Sequence, residues 1–289
     1  MQNKEHNTKS ILTIIIPHYN TPDGLKRLLE TIGFFDGLEV IVVDDNSDKN
    51  IKEYEQIVKE YDNRVLFTKN TTGKKGAGAA RNTGLKYATG KWVAFMDADD
   101  VVVGNLENIC DNLDDSFDII FFEPISRTTD MIHEAGRHKR YKRLVDRCVE
   151  ENTICSKYAL KYNFYVPWSK IIKMEIIKAH NIRFEEVLYA NDVMFSCRIA
   201  YYAKNIKATK ETFYCITDNE FGLTKVKSKA SQHIRNAQNI KRMFYLMMHV
   251  PPKYWKEVEF SFTTLICLLA NQTEVVQLYK KYLKKYVTS

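Results

Sequence analysis

Residues 11–20 read ILTIIIPHYN, and this stretch decides the fold class. Ile11–Ile16 is a continuous apolar run, rich in β-branched residues, that ends at Pro17, which predicts a strand buried on both faces. Three later runs have the same character: Val40–Val43, Val65–Thr68 and Trp92–Met96. Helical spacing marks the segments between them: Leu25–Ile32 behind Pro22, Ile51–Tyr61 and Ala79–Ala88. This βαβαβαβ alternation predicts an α/β fold in which helices flank a mixed, largely parallel sheet.

The chain changes character beyond Gly104. Apolar runs predict strands at Phe117–Phe122 and Thr212–Ile216, and helical spacing predicts helices at Ile171–Ala179 and Val193–Ala203. The basic stretch at residues 127–147 shows little periodicity. From Lys229 onward the pattern is helical, over Ile234–Met248, Trp255–Ala270 and Glu274–Tyr286. We therefore predict a first domain over residues 1–220, with halves at 1–103 and 104–220, and a helical C-terminal extension over 221–289.

Composition excludes several classes of protein. The 289 residues are 45% hydrophobic and 27% charged, which is typical of globular enzymes and not of disordered or collagen-like chains. Six cysteines without a CxxC pair argue against a zinc site and a disulfide scaffold, and they favour a reducing compartment. The polar N-terminus lacks the apolar core of a signal peptide, and no apolar run approaches the about 20 residues that span a bilayer. We therefore expect a cytoplasmic location.

The net charge of +7 fits a nucleotide-bearing substrate, an anionic membrane or nucleic acid about equally. The basic stretches lack the interleaved stacking aromatics of a nucleic-acid-binding module, so we expect no nucleic-acid partner. The tail Tyr279–Tyr286 mixes lysines and aromatics at near-helical spacing, as interfacial helices do. This predicts weak peripheral contact with the inner face of the cell membrane. The equal alternative is a solvated helix that packs Leu283 on the core.

Polar clusters follow three of the predicted strands, at Tyr19-Asn20, Asp44-Asp45 and Asp97–Asp100. In open α/β sheets the ligand crevice lies outside the carboxyl ends of the strands, so we expect these clusters to face one pocket. Asp97 and Asp99 can hold Mn²⁺ or Mg²⁺ while a diphosphate completes the shell, or the acidic turn can cap the next helix.

The second cluster also has two interpretations. A carboxylate of Asp44-Asp45 can accept hydrogen bonds from a ribose hydroxyl or a base imide. Alternatively, the segment serves as the N-cap of the following helix, through Ser47 or Asp48. The two roles are compatible.

The segment Gly73–Gly84 reads GKKGAGAARNTG and runs into a predicted helix. Such a loop can bring backbone N–H groups close to a phosphate or a nucleobase. It is not a Walker A loop, and it is a poor dinucleotide fingerprint because Arg81 stands where the third glycine of GxGxxG belongs. The Arg81 guanidinium can contact a base carbonyl or a phosphate, or it can be a surface arginine that pairs with a nearby acid.

Four motifs, in the right order across residues 11–100, resemble the inverting family 2 glycosyltransferases of the GT-A (Rossmann-like) fold. They are IIIPHYN at residues 14–20, VVDDNS at 42–47, GAARNTG at 78–84 and FMDADD at 95–100. A weaker resemblance reaches about residue 225. There WSK at 168–170, NIRF at 181–184 and YAND at 189–192 look like the acceptor half of bacterial surface-polysaccharide transferases. The resemblance makes residues 1–103 the nucleotide-binding half and 104–220 the acceptor half.

The resemblance implies a role for each matched residue. On the donor side, Pro17, Tyr19 and Asn20 border the base and ribose, and Asp45 hydrogen-bonds a uracil-type base. Arg81 lies near the base and diphosphate, and Asp97 and Asp99 form the DXD pair, with Asp99 favoured as the direct metal ligand. Asp192 matches the catalytic base, although Asn191 stands where the family has a glutamate. Trp168 either stacks on a sugar face or packs in the core.

These residues predict an inverting, metal-dependent, hexosyltransferase-like glycosyltransferase of surface polysaccharide synthesis. Its donor is a nucleoside-diphosphate sugar, with UDP the expected carrier, and its acceptor is a hydroxyl of a glycan or a lipid-linked glycan. One rival is an NAD-type oxidoreductase, which Gly76-Ala77-Gly78 suggests, but this loop does not follow the first predicted strand. A second rival is a nucleotide-sugar-binding protein without catalysis.

Overall fold

The computed structural model describes residues 10–218 and 227–270. The strands are β1 (Leu12–His18), β2 (Leu38–Asp44), β3 (Val65–Lys69), β4 (Trp92–Phe95), β5 (Val101–Val102), β6 (Ile119–Phe122), β7 (Ile125–Thr128), β8 (Lys170–Lys173), β9 (Ile206–Thr209) and β10 (Tyr214–Asp218). The α-helices are α1 (Pro22–Thr31), α2 (Ile51–Tyr61), α3 (Ala77–Tyr87), α4 (Leu106–Asp111), α5 (Lys139–Glu151), α6 (Ile154–Asn163), α7 (Met174–Ala179), α8 (Val193–Tyr202), α9 (Lys229–His249) and α10 (Phe262–Ala270). A short 3-10 helix covers Pro252–Tyr254.

The main sheet has the strand order β3-β2-β1-β4-β8-β6-β9. Strand β8 runs antiparallel to both of its neighbours, and the other pairings in this sheet are parallel. This confirms the predicted mixed, largely parallel sheet flanked by helices. Strands β2 and β3 extend the sheet on one side of β1, whereas β4 lies on the other side. The carboxyl ends of β1, β2 and β4 therefore meet at one edge, where the three polar clusters lie.

A smaller sheet with the order β5-β10-β7 adjoins the turn that follows β4. Strand β10 pairs antiparallel with β5, with Tyr214 opposite Val102, and parallel with β7. This pairing carries the Tyr214 side chain to the acidic turn, where its hydroxyl contacts Asp97 and Asp100.

Helix α3 packs unusually close to the sheet because its inward side is made of small residues. Residues 78–85 of this helix are all buried. A Cβ added at Gly84 would lie 2.5 Å from the Ile15 side chain of β1, closer than real Cβ contacts come. The loop before α3 has its own constraint, since Gly76 has φ +118°, a conformation that favours glycine.

The predicted helix at Ile171–Ala179 is wrong in its first part. Lys170–Lys173 forms β8, which inserts between β4 and β6, and the helix begins only at Met174. The β-branched pair Ile171 and Ile172 is fully buried in the sheet. A short apolar run fits a buried strand and a buried helix equally, and tertiary pairing decided in favour of the strand.

The basic stretch is more ordered than its sequence pattern suggested, because it contains the end of β7 and most of α5. Acidic side chains from other elements pair with the α5 cations: Arg140 with Glu259, Lys142 with Glu123, and Arg147 with Glu257. Three cations of the basic stretch therefore pair with acidic side chains that lie before and after α5 in the chain.

The C-terminal part that the structure describes packs on the first domain through a second apolar cluster. Ile240, Met243 and Leu246 of α9 are buried with Tyr162 of α6 and Ala200 of α8. The predicted helix Trp255–Ala270 is too long at its start: turns follow the 3-10 helix, and α10 begins at Phe262. The boundary near residue 220 stays a prediction, and the predicted helix Glu274–Tyr286 lies outside the described residues. None of the helices in the described part of the chain combines the length and the apolar character needed to cross a bilayer.

Replacing Gly84 with alanine tests the close packing of α3. The new methyl group would meet the Ile15 side chain at 2.5 Å. Overpacking of this kind costs about 1–3 kcal/mol and exceeds the up to about 1 kcal/mol that alanine gains in helix propensity. We expect urea denaturation to show a lower free energy of unfolding, by about 1–2 kcal/mol. The matched control is Gly33→Ala, which meets no atom within 4 Å and should leave the stability nearly unchanged.

Candidate active site

Asn20 joins the loops that follow β1 and β2. Its backbone N–H donates to Ser47 Oγ at 2.9 Å, and its side-chain amide donates to Asp48 Oδ1 at 2.7 Å. Its Oδ1 in turn accepts from the backbone N–H groups of Asp48 and Lys49. The predicted base-and-ribose segment is therefore held as a rigid border, in which Pro17 is buried and the Tyr19 side chain is 44% exposed.

The Asp44 side chain joins the same two loops and does not cap a helix. Its carboxylate lies 3.1 Å from His18 Nδ1 and accepts from Ser47 Oγ at 2.6 Å. Burial alone would raise the pKa of Asp44, but the hydrogen bonds from His18 and Ser47 hold it below its usual value. Helix α2 begins after Asn50 without a side-chain capping bond in the described structure, so neither Ser47 nor Asp48 caps it.

The Asp45 carboxylate ties together the ends of two strands and the start of α3. One oxygen accepts from Asn70 Nδ2 and the other from the Gly76 backbone N–H, both at 2.6 Å. Asp45 is only 6% exposed. Since a carboxylate offers about four lone-pair directions, these two bonds fix its position and leave acceptor capacity for a ligand N–H.

Arg81 is buried at the centre of the site, not on the surface. It is 4% exposed, and it donates from NH1 to Asn191 Oδ1 at 3.0 Å and from NH2 to Asp97 Oδ1 at 2.5 Å. Its guanidinium carbon lies 5.2 Å from the centre of the Phe184 ring. Its Nε has no hydrogen-bond partner among the described residues. Asn191 stands where the resembled family has a glutamate, and its amide oxygen is a neutral hydrogen-bond acceptor. Among the described residues, the Arg81 guanidinium therefore forms its ion pair with Asp97.

The acidic turn after β4 crowds three carboxylates. Asp97 is 30% exposed at its side chain, while Asp100 is 1% exposed and accepts from Tyr214 Oη at 2.5 Å and from the Thr217 N–H at 2.7 Å. Burial, and then the charge of Asp97, raise the pKa of Asp99. This turn does not cap the next helix, because the side chain of Asn105 caps α4.

The donor set of this turn suits a hard divalent cation such as Mn²⁺ or Mg²⁺. A cation would relieve the repulsion that raises the pKa of Asp99. Among the described residues, no set of three or more His, Cys, Asp or Glu side chains is arranged to hold a metal ion. Asp97 and Asp99 would therefore supply two ligands, and substrate oxygens or water would supply the others.

Asp192 stands at the N-cap position of α8, yet its side chain makes no capping hydrogen bond within the described chain. The carboxylate is therefore not committed to the helix. Burial raises the pKa of Asp192, whereas the charges of Arg81 and Lys170 lower it and that of Asp97 raises it. These interactions place Asp192 within electrostatic range of both the central arginine and the acidic turn.

Lys170 is a buried lysine whose charge acts on Asp192, and the sequence alone predicts no role for it. Its Nζ donates to Phe164 O and to Ser196 Oγ, both at 3.0 Å, and the residue is 3% exposed. Ser196 lies in the first turn of α8, where its N–H bonds Asp192 O. Burial lowers the pKa of Lys170 to about 7. The only signal in the sequence was a lysine beside the apolar pair of β8.

The structure places Trp168 in the core, which corrects the prediction that it stacks on a sugar face. It is 3% exposed, and its ring packs against Tyr141 at 5.0 Å, Phe164 at 5.8 Å and Tyr214 at 6.2 Å between centroids. The Trp168 side chain is therefore part of the hydrophobic core, in agreement with the alternative interpretation. Tyr214 is the converse case: it reads as a core strand residue, but its hydroxyl orders the acidic turn.

Comparison with known proteins places the chain in a family. The model of Glycosyl transferase family 2 matches residues 13–178, more than half of the chain. The chain belongs to this family. It is 27% identical to the Bacillus subtilis minor teichoic acid biosynthesis protein GgaB over 94% of its own residues, and it spans 28% of the length of GgaB.

Solved structures with low identity share the GT-A fold. S. aureus TarS (residues 1–349, in complex with UDP-GlcNAc) superposes with a TM-score of 0.66 at 21% identity, covering 86% of this chain and 69% of that one. The mannosyltransferase PcManGT of Pyrobaculum calidifontis, in complex with GDP-Man and Mn²⁺, gives 0.60 at 17% identity, covering 97% of this chain and 81% of that one.

The buried Lys170 predicts a pH-dependent stability. Below pH 7 both the folded and the unfolded chain bind this proton, but between a folded pKa of about 7 and the usual 10.5 only the unfolded chain binds it. The free energy of unfolding should therefore rise with pH above 7, by up to about 1.4 kcal/mol per pH unit. We expect urea denaturation to show wild type gaining about 1–2 kcal/mol relative to Lys170→Met between pH 7 and 8.5.

The exposed Lys207 of β9 provides the control for that comparison. The difference between wild type and Lys207→Met should stay flat with pH. A flat difference for Lys170→Met as well would show that Lys170 does not lose its proton in the folded state.

Proposed function

We propose that this chain is an inverting, metal-dependent glycosyltransferase. It transfers a sugar from a nucleoside-diphosphate sugar, with UDP as the carrier, to a hydroxyl of a glycan or lipid-linked glycan in surface polysaccharide synthesis. The observation that carries the proposal is the buried Arg81 guanidinium, which bonds the DXD carboxylate Asp97 and the Asn191 side chain beside Asp192. One cation thus connects a diphosphate-metal site with a candidate base.

The nucleotide end of the pocket supports UDP as the carrier. Asp45 is fixed by Asn70 and Gly76, and its remaining lone pairs suit the imide N–H of a uracil-type base. TarS was solved in complex with UDP-GlcNAc and PcManGT in complex with GDP-Man, so the fold alone does not set the base. The carboxylate at position 45 is our reason for preferring uracil.

Asp97 and Asp99 would hold the divalent cation against the donor diphosphate. When bound, Mn²⁺ or Mg²⁺ supplies positive charge that stabilises the leaving diphosphate. Two arginines also bring positive charge close to Asp99. Arg27 donates to Asp99 O at 2.7 Å, and both Arg27 and Arg137 act to lower the pKa of Asp99.

Asp192 would act as the general base. The acceptor oxygen attacks the anomeric carbon while its proton passes to the Asp192 carboxylate and the bond from that carbon to the diphosphate oxygen breaks. A single displacement of this kind inverts the anomeric configuration. The charges of Arg81 and Lys170 favour the ionised form of Asp192 that this step needs.

The rivals fit less well. The glycine-rich loop lies between β3 and α3, not after β1 as in a dinucleotide-binding unit, and Arg81 binds Asp97 where that unit needs a glycine. A binding protein without catalysis has no evident use for a carboxylate held at a helix start without a capping bond.

The acceptor belongs to the same proposal. GgaB is a teichoic acid biosynthesis protein by name, which supports a surface-polymer acceptor. A lipid-linked acceptor would bring a cytoplasmic enzyme to the inner face of the membrane. The predicted contact of the tail Tyr279–Tyr286 lies outside the described residues.

The metal role is tested by nucleotide release. We expect the purified protein to release UDP from one of UDP-glucose, UDP-galactose and UDP-GlcNAc, presented with lipid and glycan acceptors, only when Mn²⁺ or Mg²⁺ is added. Asp99→Ala should lower release at least about 100-fold, since it removes one of two protein ligands. Asp115→Ala, an exposed control away from the site, should keep it. Full release in excess chelator would rule out the metal.

The base role is tested by Asp192→Asn. This change keeps the size of the side chain and removes the proton acceptor, so turnover should fall at least about 100-fold. Because Asp192 makes no capping bond in the described structure, the melting temperature and the UDP affinity should hold. A variant that melts early yet keeps its turnover per folded molecule would identify Asp192 as structural and leave Glu185 or Glu186 as the candidate base. The exposed first-turn residue of α1 gives the control, Asp23→Asn.

A further inference from the structure

We propose that helix α9, in the C-terminal extension, positions the loop at residues 185–191 and thereby sets the geometry of Asp192. We call this segment the base loop because Asp192 follows it directly. The catalytic consequence rests on the proposed function, whereas the contact between α9 and the loop stands on geometry alone. Nothing in the sequence pattern connects the two, since Lys241 and Glu185 are 56 residues apart.

The base loop is a closed turn seated on α3. Its two ends are joined by the Glu185 N–H, which donates to Asn191 O at 3.0 Å. Ala190 has φ +53°, so the chain turns sharply just before Asn191. A Cβ added at Gly78 would lie 2.3 Å from Glu185 O, which shows how tightly the loop rests on the first turn of α3. A shift of this loop therefore moves Asn191 relative to Arg81.

Glu185 is the point at which α9 holds the loop. Its carboxylate, 17% exposed, accepts from Lys241 Nζ of α9 at 2.6 Å and from Arg198 of α8 at 3.0 Å. Burial alone would raise the pKa of Glu185, but the Lys241 hydrogen bond and the two cationic charges bring it below its usual value. Such a half-buried, doubly paired carboxylate is screened less than a surface ion pair.

A second contact holds the middle of the base loop. The Arg235 guanidinium carbon of α9 lies 4.7 Å from the centre of the Tyr189 ring. Arg235 and Lys241 are six residues apart, so the two contacts are spaced about 9 Å along the helix. Two separated contacts fix both the position and the tilt of the loop, which one contact cannot do.

Helix α9 is itself firmly anchored, so it can act as a reference for the loop. Arg242 is 4% exposed and donates to Asn163 Oδ1 and to Val258 O, both at 2.8 Å. Ile240 and Leu246 are fully buried beside it. Positioning through an anchored helix is more accurate than positioning through another loop.

The test is Lys241→Met, with Lys241→Arg as the conservative rescue. Arg198 still pairs with Glu185 in both variants, so neither leaves a buried carboxylate without a cation. Hydrogen–deuterium exchange is measured on peptides that cover residues 182–191. We expect roughly tenfold faster exchange in the base loop for Lys241→Met, and exchange near that of wild type for Lys241→Arg. The exposed first residue of α9 gives the control, Lys229→Met, which should not change the loop.

Two functional readouts separate positioning from general stability. UDP affinity by calorimetry should change much less than turnover in Lys241→Met, because the Asp45 carboxylate is held by Asn70 and Gly76 and not by a side chain of α9. UDP release from the sugar nucleotide that wild type consumes should fall about tenfold. Unchanged exchange in the base loop, or faster exchange spread evenly over the whole chain, would overturn the proposal. So would faster loop exchange with undiminished release. If wild type itself neither binds nor releases UDP, the proposed function fails, while the exchange result still decides whether α9 holds the loop.

Discussion

The Arg81 guanidinium, buried between Asp97 and Asn191, is the interaction on which the site depends. Taking a guanidinium out of water is costly unless its charge is paired, and here a carboxylate and an amide oxygen accept from its two terminal nitrogens at 2.5 and 3.0 Å. The same two bonds join the turn after β4 to the start of α8. These elements are far apart in sequence, and no strand pairing connects them directly. The bonds of the Arg81 guanidinium therefore fix the geometry of the pocket together with the strand pairing of the sheet.

Side chains of opposite charge lie close to one another around the Arg81 guanidinium. Arg81 pairs with Asp97 of the acidic turn, and the charges of Arg81, Asp97 and the buried Lys170 all act on Asp192. An asparagine at position 191 leaves this arrangement with one negative charge fewer than a glutamate would. A diphosphate of the proposed donor would meet less repulsion there, and the ion pair with Asp97 contributes more to holding Arg81 in place.

The strands and helices of residues 1–103 could be predicted well because their sequence signals are local. Each strand from β1 to β4 is a short β-branched or aromatic run, and polar residues follow three of them directly, so topology alone brings Asp45, Asp97 and Asp99 to one edge. The structure of residues 104–220 depends on distant pairing. Ile171 and Ile172 are compatible with either secondary structure until β4 and β6 flank them. Helix α5 was missed because its charged surface is explained by partners such as Glu257 and Glu259, which lie more than a hundred residues away.

The roles of individual side chains are also difficult to predict from the sequence, because they depend on distant neighbours. The importance of Lys170 and Tyr214 follows from what surrounds them, and a lysine or a tyrosine in an apolar strand gives no sign of it. Trp168 shows the reverse error, since an aromatic residue near a sugar-binding motif suggests stacking, whereas the structure buries it among Tyr141 and Tyr214. The motif made Asp192 a candidate, but only the structure shows that its side chain makes no capping hydrogen bond to α8 within the described residues.

The composition of α3 also has a consequence for the order in which the protein folds. Gly78 and Gly84 lower the intrinsic helix propensity of this segment, and its small residues offer little apolar surface for an early collapse. The helix is therefore stable only when β1 and the base loop already surround it. Arg81 sits on this helix, so the site forms after the sheet and not alongside it. A nascent chain would bring Asp45, Asp97 and Asp99 to one edge of the sheet before Arg81 reached its position between Asp97 and Asn191.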